Sequence, residues 1–483
     1  DQKFGGNQTA YNYLLQYFND MGVTHIQTFS DKMLLKISGN PSLIMNAFNT
    51  SISFYNYNGK IVYGPSSKPE LPLSVLPYIS GIAGFSNYSS LIIRKASLGV
   101  SLVKQTVTGG KITSNGYIEP ATSNGVQYIY GSNMQVANGE QTLFKEYGYP
   151  SNGVAATILW SGVYNSPTTL ITKFGTLKPG QYVGPFDPTD IYTYFNETIP
   201  SWEPHSHVYG VPIGNASAPG PLASYDTTSA NFENTLDLEM LGSTAPGSSI
   251  YNVYANQPSI SLLDSAFSFI LNPNASFKGL DNVSVISNSW GGQDSNNTIW
   301  YNDLLEAQAR GITVLASSGD AGDNPSSTKY SGSNIEFPSS MAFNTFGMTA
   351  VGGTTVKLSS SLSIINQTNW YVPSSAGGPY GTSSGISSVF PEPIWQKNSL
   401  ANAIINGQGR GVPDISTIGN NTLITITVNG DQYDATNATF GGTFRPSSGT
   451  SVSSPLVAGI ILEINHVLNV TNETSLGFID PIL

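Results

Sequence analysis

Four short apolar runs decide what this chain can fold into. They read GVAATILW (153–160), SIYNVYA (249–255), VSVISNSW (283–290) and ITVLASSGD (312–320). Strands this uniformly apolar are buried on both faces, as in a parallel sheet covered by helices. Stretches with helical spacing fall between them, at 231–242, 258–271 and 299–310. Strands alternating with helices predict a doubly wound α/β domain from about residue 128 onward. In such sheets, sites lie beyond the carboxyl ends of the strands. NSWGG and SSGDAGD are polar, glycine-rich strand exits of that kind.

The amino end has another rhythm. TAYNYLLQYFNDMG (9–22) has helical spacing and stops at Gly22. HIQTFS and MLLKISG read as strands, PSLIMNAFN as a short helix, and SISFYNYNGKIVYG as a hairpin turning at Asn58-Gly59. The order α-β-β-α-β-β predicts a small α/β sandwich ending near residue 65. A Pro- and Ser-rich stretch follows, and 86–127 reads as a polar linker.

Composition narrows the partners. The chain has 483 residues, 39% apolar and only 10% charged, with a net charge of −11. That charge argues against nucleic acid as a partner, and the many aromatic residues argue against disorder. There is no cysteine, so disulfides and thiolate metal sites are excluded. About thirteen Asn-X-Ser/Thr sequons, among them Asn7, Asn49, Asn87, Asn196, Asn274, Asn366, Asn437 and Asn472, favour a secreted glycoprotein. Few bases mean little repulsive positive charge at low pH, which suits an acidic medium. No apolar run reads as the ~20 residues of a membrane span, and Asp1 opens no signal peptide.

One loop carries nucleophile chemistry. SSGTSVSSPLVAGI (447–460) places Ser451 where a small-residue loop enters an apolar helix. A serine hydroxyl needs a base to take its proton. The four histidines, His25, His205, His207 and His466, all lack the His-Gly-Thr context that accompanies this loop in subtilisin-like enzymes. Two carboxylates offer an alternative: Glu233 and Asp237, four residues apart in NFENTLDLEM, share one helix face, while Glu239 points elsewhere. A solvated helix face carries the same spacing. Asp320, directly after a buried strand, reads equally as a turn residue.

In chain order, ENTLD, SNSWGG, SSGDAGD, FPSS…TAVGGT, ISSVFPEPIWQ, GRGVPDIS and SGTSVSSP resemble the sedolisins, the serine-carboxyl peptidases. The amino end, from YLLQYFNDMG to GIAGF, looks like the second half of that family's activation propeptide. The resemblance implies a subtilisin-like catalytic domain at 128–483, a propeptide at 1–85 trimmed at its amino end, and a processing site in the linker 86–127. It implies Ser451 as nucleophile, Glu233 as general base and acid, Asp237 as the residue that tunes it, and Asp320 as a protonated oxyanion donor. Trp290 is expected to buttress the acid pair, and Gly291 and Gly292 to meet the substrate backbone. Near pH 4 a histidine is protonated and useless as a base, whereas a glutamate titrates in that range. A neutral aspartic acid donates to an oxyanion, but an ionised one repels it.

Two departures qualify the resemblance. Trp160 falls where some relatives place a further glutamate, and the family's carboxy-terminal calcium loop would lie beyond Leu483. No cofactor or metal site is assigned within the chain. The expected function is an acid-active secreted endopeptidase in proenzyme form. Its partners would be polypeptide substrates and its own propeptide. A surface structural or binding protein that keeps the peptidase fold is the competing expectation.

Overall fold

The structure, a computed structural model, describes residues 5–57, 59–88, 91, 111–123, 125–322, 335–373, 379–436 and 445–483. The expected turn residue Asn58, the sequon Asn437 and most of the expected processing linker lie outside the described residues.

The amino-terminal unit has the expected element order: α1 (Gln8–Asp20), β1 (His25–Thr28), β2 (Leu35–Ser38), α2 (Pro41–Ala47), β3 (Ile52–Tyr57) and β4 (Lys60–Pro65). Asn7 and Asn40 start the helices by accepting backbone N–H bonds, which satisfies otherwise orphaned donors. The strands form two antiparallel pairs, β1–β2 and β3–β4. Leu14, Phe18, Val23, Ala47, Phe48, Leu71 and Val75 make a core separate from the rest.

The larger unit is built on one eight-stranded sheet. Its strands are β5 (Val154–Trp160), β6 (His207–Ile213), β7 (Ser249–Ala255), β8 (Val283–Asn288), β9 (Thr313–Ser317), β10 (Thr349–Leu358), β11 (Ile364–Asn369) and β12 (Ile415–Ile418). The spatial order is β6-β7-β5-β8-β9-β10-β11, with β12 also on β10. All pairings are parallel except β10–β11. Between the strands run α3 (Ala230–Thr244), α4 (Ile260–Leu271) and α5 (Thr298–Ala309), and after β12 comes α6 (Thr450–Val470). Side chains alternate across the sheet. Ala155, Val285 and Leu315 meet α3 and α6. Ala156, Ile286 and Val314 meet α4 and α5. Both faces are therefore covered, which is why the strands lack a polar face.

Two expectations need correction. Residues 111–127 are not wholly linker: Tyr117, Ile118 and Ala121 are buried in the main core, and Ala121–Ser123 pairs with Val126–Tyr128. A few apolar anchors in a Gly/Ser-rich stretch leave too weak a pattern to read. Likewise, α6 is 21 residues long with a mean hydropathy of 1.4, enough by length and composition to cross a membrane. Yet 72% of that apolar stretch is buried inside the fold. A helix apolar all round is what the centre of a large domain requires.

The amino-terminal unit docks on α4 and α5. Ser30 Oγ and the Asp31 amide donate to Asn272 Oδ1 at 2.7 and 3.1 Å, and Asn302 Nδ2 donates to Ser80 Oγ at 3.4 Å. Gly81 lies so close to Thr298 that a side chain there would crowd it.

Candidate active site

The helices α3 and α6 run in the same sense, antiparallel to the strands. Asn234, near the start of α3, donates to the Trp160 carbonyl at the carboxyl end of β5 (3.0 Å). Near the start of α6, Ser454 and Ser287 hydroxyls pair at 2.9 Å, and Ser453 Oγ donates to the Ile418 carbonyl at 2.8 Å. The two helices pack closely: Thr244 Oγ1 donates to the Leu456 carbonyl at 3.0 Å, and any side chain at Gly459 would collide with Thr244. Glu233 and Ser451 thus lie at the amino ends of two adjacent helices, over the carboxyl ends of the strands.

Ser451 is 2% exposed, and its Oγ has no hydrogen-bond partner among the described residues. No Glu233–Ser451 hydrogen bond is formed in this structure; such catalytic contacts commonly tighten only with substrate. Pro455 lies inside α6. Having no N–H, it cannot bond the Ser451 carbonyl, which loosens the first turn of the helix at Ser451.

Glu233 and Asp237 are both buried on α3. Ser289 Oγ donates to Asp237 Oδ1 at 2.6 Å. Burial pushes the Asp237 carboxyl up to about 8, with the Ser289 hydroxyl pulling the other way. In acid this group therefore carries a proton. Glu239 faces away and accepts from the Thr425 amide at 3.2 Å.

Asp320 is 3% exposed and follows β9 through Gly319, whose φ is +107°. Its Oδ1 accepts from both the amide and the hydroxyl of Thr450, at 2.8 and 2.9 Å. Thr450 Oγ1 in turn accepts from the Gly319 amide at 3.0 Å. The loop is held from the other side by residues 381–383: the Gly381 amide donates to the Asp320 carbonyl at 3.0 Å, and the Ala321 amide donates to Ser383 Oγ at 2.9 Å. Asp320 and the residue before Ser451 are thereby joined directly.

The cleft residues divide. Trp290 is 1% exposed and packs edge-on against Trp300 (5.5 Å) and beside Phe337 (5.8 Å). Its ring belongs to the α4–α5 core, and Ser289 is the residue of SNSWGG that reaches the acid pair. Gly291 has no room for a side chain, because Glu336 fills the space. Gly292 is covered by Leu91, whose Cδ2 lies 3.0 Å from where a Cβ would stand. Trp160 is buried in the same core as Trp290, so β5 adds no carboxylate to the acid pair.

Sequence reasoning missed Ser289, Thr450, Glu336 and Ser383. None has a signal of its own, since each acquires its place only through a partner far along the chain.

The histidines are elsewhere. His207 opens β6 at the amino end of the sheet, His205 stacks by Phe195, His466 Nε2 contacts the Tyr147 carbonyl at 3.0 Å, and His25 is in β1. Among the described residues no group of three or more His, Asp or Glu side chains is arranged to hold a metal ion.

Comparison with known proteins identifies the family and the fold. Residues 213–474, more than half of the chain, match the subtilase family, and residues 1–88 match the pro-kumamolisin activation domain. Kumamolisin of Bacillus sp. (strain MN-32) is 28% identical over 270 residues, covering 53% of this chain and 43% of that protein. Tripeptidyl-peptidase sed4 of Aspergillus fumigatus is 30% identical over 224 residues, covering 41% and 32%. The matched stretches span less than half the length of these relatives. Among solved structures, Pseudomonas sedolisin, a serine-carboxyl proteinase, aligns with a TM-score of 0.51 at 20% identity, covering 73% of this chain and 83% of that one.

Proposed function

From a chain that belongs to the subtilase family, and within it to the sedolisins by its pro-kumamolisin activation domain, we propose a secreted, acid-active serine-carboxyl endopeptidase in proenzyme form. The observation that carries this reading is the joining of Asp320 to Thr450 beside Ser451, at the strand end where α3 presents Glu233 and Asp237.

In this mechanism Ser451 Oγ attacks the scissile carbonyl carbon while Glu233 takes its proton. Negative charge gathers on the carbonyl oxygen, and the protonated Asp320 carboxyl donates to it. The tetrahedral species collapses to an acyl-enzyme as Glu233 returns the proton to the leaving amine. Water then attacks the ester with Glu233 again as base, restoring Ser451. Asp237, neutral in acid, holds Glu233 without adding a second negative charge. As pH rises the oxyanion donor loses its proton, so activity is expected to fall on the basic side.

The attached activation domain would act as an intramolecular block, with Leu91 of the segment that follows it seated on Gly292. The sequon residues Asn7, Asn49, Asn87, Asn196, Asn274, Asn366 and Asn472 are all exposed, which supports glycosylation and an extracellular place.

The test is incubation with a denatured polypeptide near pH 4, beside Ser451→Ala and Glu233→Gln. Cleavage by the parent and its loss in both variants is the expected result. A processed parent that cuts nothing would leave a surface binding protein on a peptidase fold.

A further inference from the structure

A neutral carboxyl acid has two oxygens but only one hydrogen. As an oxyanion donor, Asp320 works only if that hydrogen sits on the oxygen that faces the substrate. The structure contains a device for choosing it. Asp320 Oδ1 receives two hydrogen bonds from one residue: the Thr450 amide at 2.8 Å and the Thr450 hydroxyl at 2.9 Å. The hydroxyl has a single hydrogen. It points to Asp320 Oδ1, while Thr450 Oγ1 accepts from the Gly319 amide at 3.0 Å. Both acceptor directions of Oδ1 are then filled, and a hydrogen placed on Oδ1 would face two donors.

We propose that Thr450 is a positioning residue that keeps the acidic hydrogen of Asp320 on Oδ2. This deepens the acid-peptidase reading and rests on it. Oδ2 is the oxygen that looks past Gly449: a Cβ at Gly449 would stand 2.9 Å from it. Gly449 has a φ of +152° and anchors itself by donating to the Gly419 carbonyl at 2.8 Å. Its missing side chain leaves the opening toward which Oδ2 is turned, one residue before Thr450 and two before Ser451. The threonine therefore links the acid's orientation to the backbone that carries the nucleophile.

The two donors also have an electrostatic effect opposite to the one the chemistry needs. Donors to a carboxyl oxygen favour its ionised form. Burial of Asp320 opposes them. Glu336 is a further carboxyl beside this loop, its Oε2 3.1 Å from where a Gly319 Cβ would stand. On α3 the ionisable groups are Glu233, Asp237 and Glu239, the last turned toward the Thr425 amide, and the first turn of α6 carries no acidic residue. Orientation is thus obtained at some expense in the pH range over which the acid stays neutral.

This opposition makes the proposal testable. In Thr450→Val the hydroxyl donor is gone but the amide donor remains. The expected result is a kcat lowered about tenfold, because the hydrogen is no longer confined to one oxygen, together with a basic limb of kcat/KM moved upward by roughly half to one pH unit. Thr450→Ser keeps the hydroxyl and should restore both values. A role in packing alone would lower activity without moving the limb. It would also leave Thr450→Ser as impaired as Thr450→Val. A basic limb that stays put or moves down in Thr450→Val overturns the proposal, as does failure of Thr450→Ser to restore it.

A second readout needs no turnover. In full-length Ser451→Ala labelled with carbon-13 at aspartate carboxyls, the Asp320 signal is identified by its loss in Asp320→Asn. Adding Thr450→Val should make that signal titrate at higher pH. An unchanged titration overturns the positioning role even if the parent proves to be a peptidase. A raised titration in a parent without activity would keep the role of Thr450 and remove the peptidase reading instead.

Discussion

Ser289 Oγ donates to Asp237 Oδ1 over 2.6 Å, tying the exit of β8 to the acid face of α3. The bond fixes the orientation of a carboxyl that burial holds neutral in acid. Ser289→Ala is expected to lower kcat/KM near pH 4 about tenfold, since one hydrogen bond of ~1 kcal/mol is lost together with the alignment of Asp237. Steady-state kinetics check this. An unaltered kcat/KM would mean that α3 alone positions the acid pair.

Trp290 is expected to matter for stability rather than for chemistry. Its ring is enclosed by Trp300 and Phe337. Trp290→Ala should destabilise the protein by about 3–5 kcal/mol through loss of packing. Trp290→Phe should cost much less and leave the pH–rate profile in place. Thermal denaturation followed by circular dichroism, beside the pH–rate profile, separates the two roles.

Stability itself should follow acid. Burial pushes Asp237 up to about 8, Asp264 to about 7 and Glu463 to about 8. In the unfolded chain such groups titrate near ~4. Below that pH both states hold the protons and no penalty arises. Between about pH 4 and 8 the folded state keeps protons that the unfolded state releases, so stability falls as pH rises, by at most ~1.4 kcal/mol per group per pH unit. The melting temperature should be highest near pH 4 and drop toward pH 8. A melting temperature that climbs over that interval would contradict the sign.

The interface between the activation domain and the catalytic unit contains a carboxyl pair, Asp31 and Glu306. Burial first, then the charge and shared hydrogen bond of Asp31, pushes Glu306 up to about 7, against the pull of Arg310. Asp303, also facing this group, is raised by burial and by Asp31, Glu306 and Asp264. A protonated Glu306 carboxyl shares a hydrogen bond with Asp31 across the interface, and its ionisation near pH 7 removes that donor and adds a charge beside Asp31. In uncut Ser451→Ala, limited proteolysis should therefore release the activation domain faster at pH 8 than at pH 4. Asp31→Asn should flatten that difference.

The sheet was legible because its strands lack a polar face, and the alternation of Ala155 and Ala156 between two cores explains why. Ser451 and Asp320 stood out as candidates because each follows a small-residue loop at the edge of an apolar run. Glu233 and Asp237 stood out as a pair by helical spacing. What escaped are the residues whose meaning is relational. Ser289 and Thr450 are ordinary hydroxyl residues until folding brings Asp237 and Asp320 to them. Asn272 holds the activation domain through one side-chain oxygen. Residues 111–127 enter the core through Tyr117, Ile118 and Ala121, too few to set a period.

The helix α6 gives the site its nucleophile from near the carboxyl end of this sequence, whereas the activation domain and α3 come long before it. Domains tend to fold in the order in which they leave the ribosome. The activation domain can therefore fold, and Glu233 and Asp237 are already synthesised, while Ser451 is still to come. Under the proposed function, the cleft would be completed last, and a growing chain would contain its restraint before it contains anything to restrain.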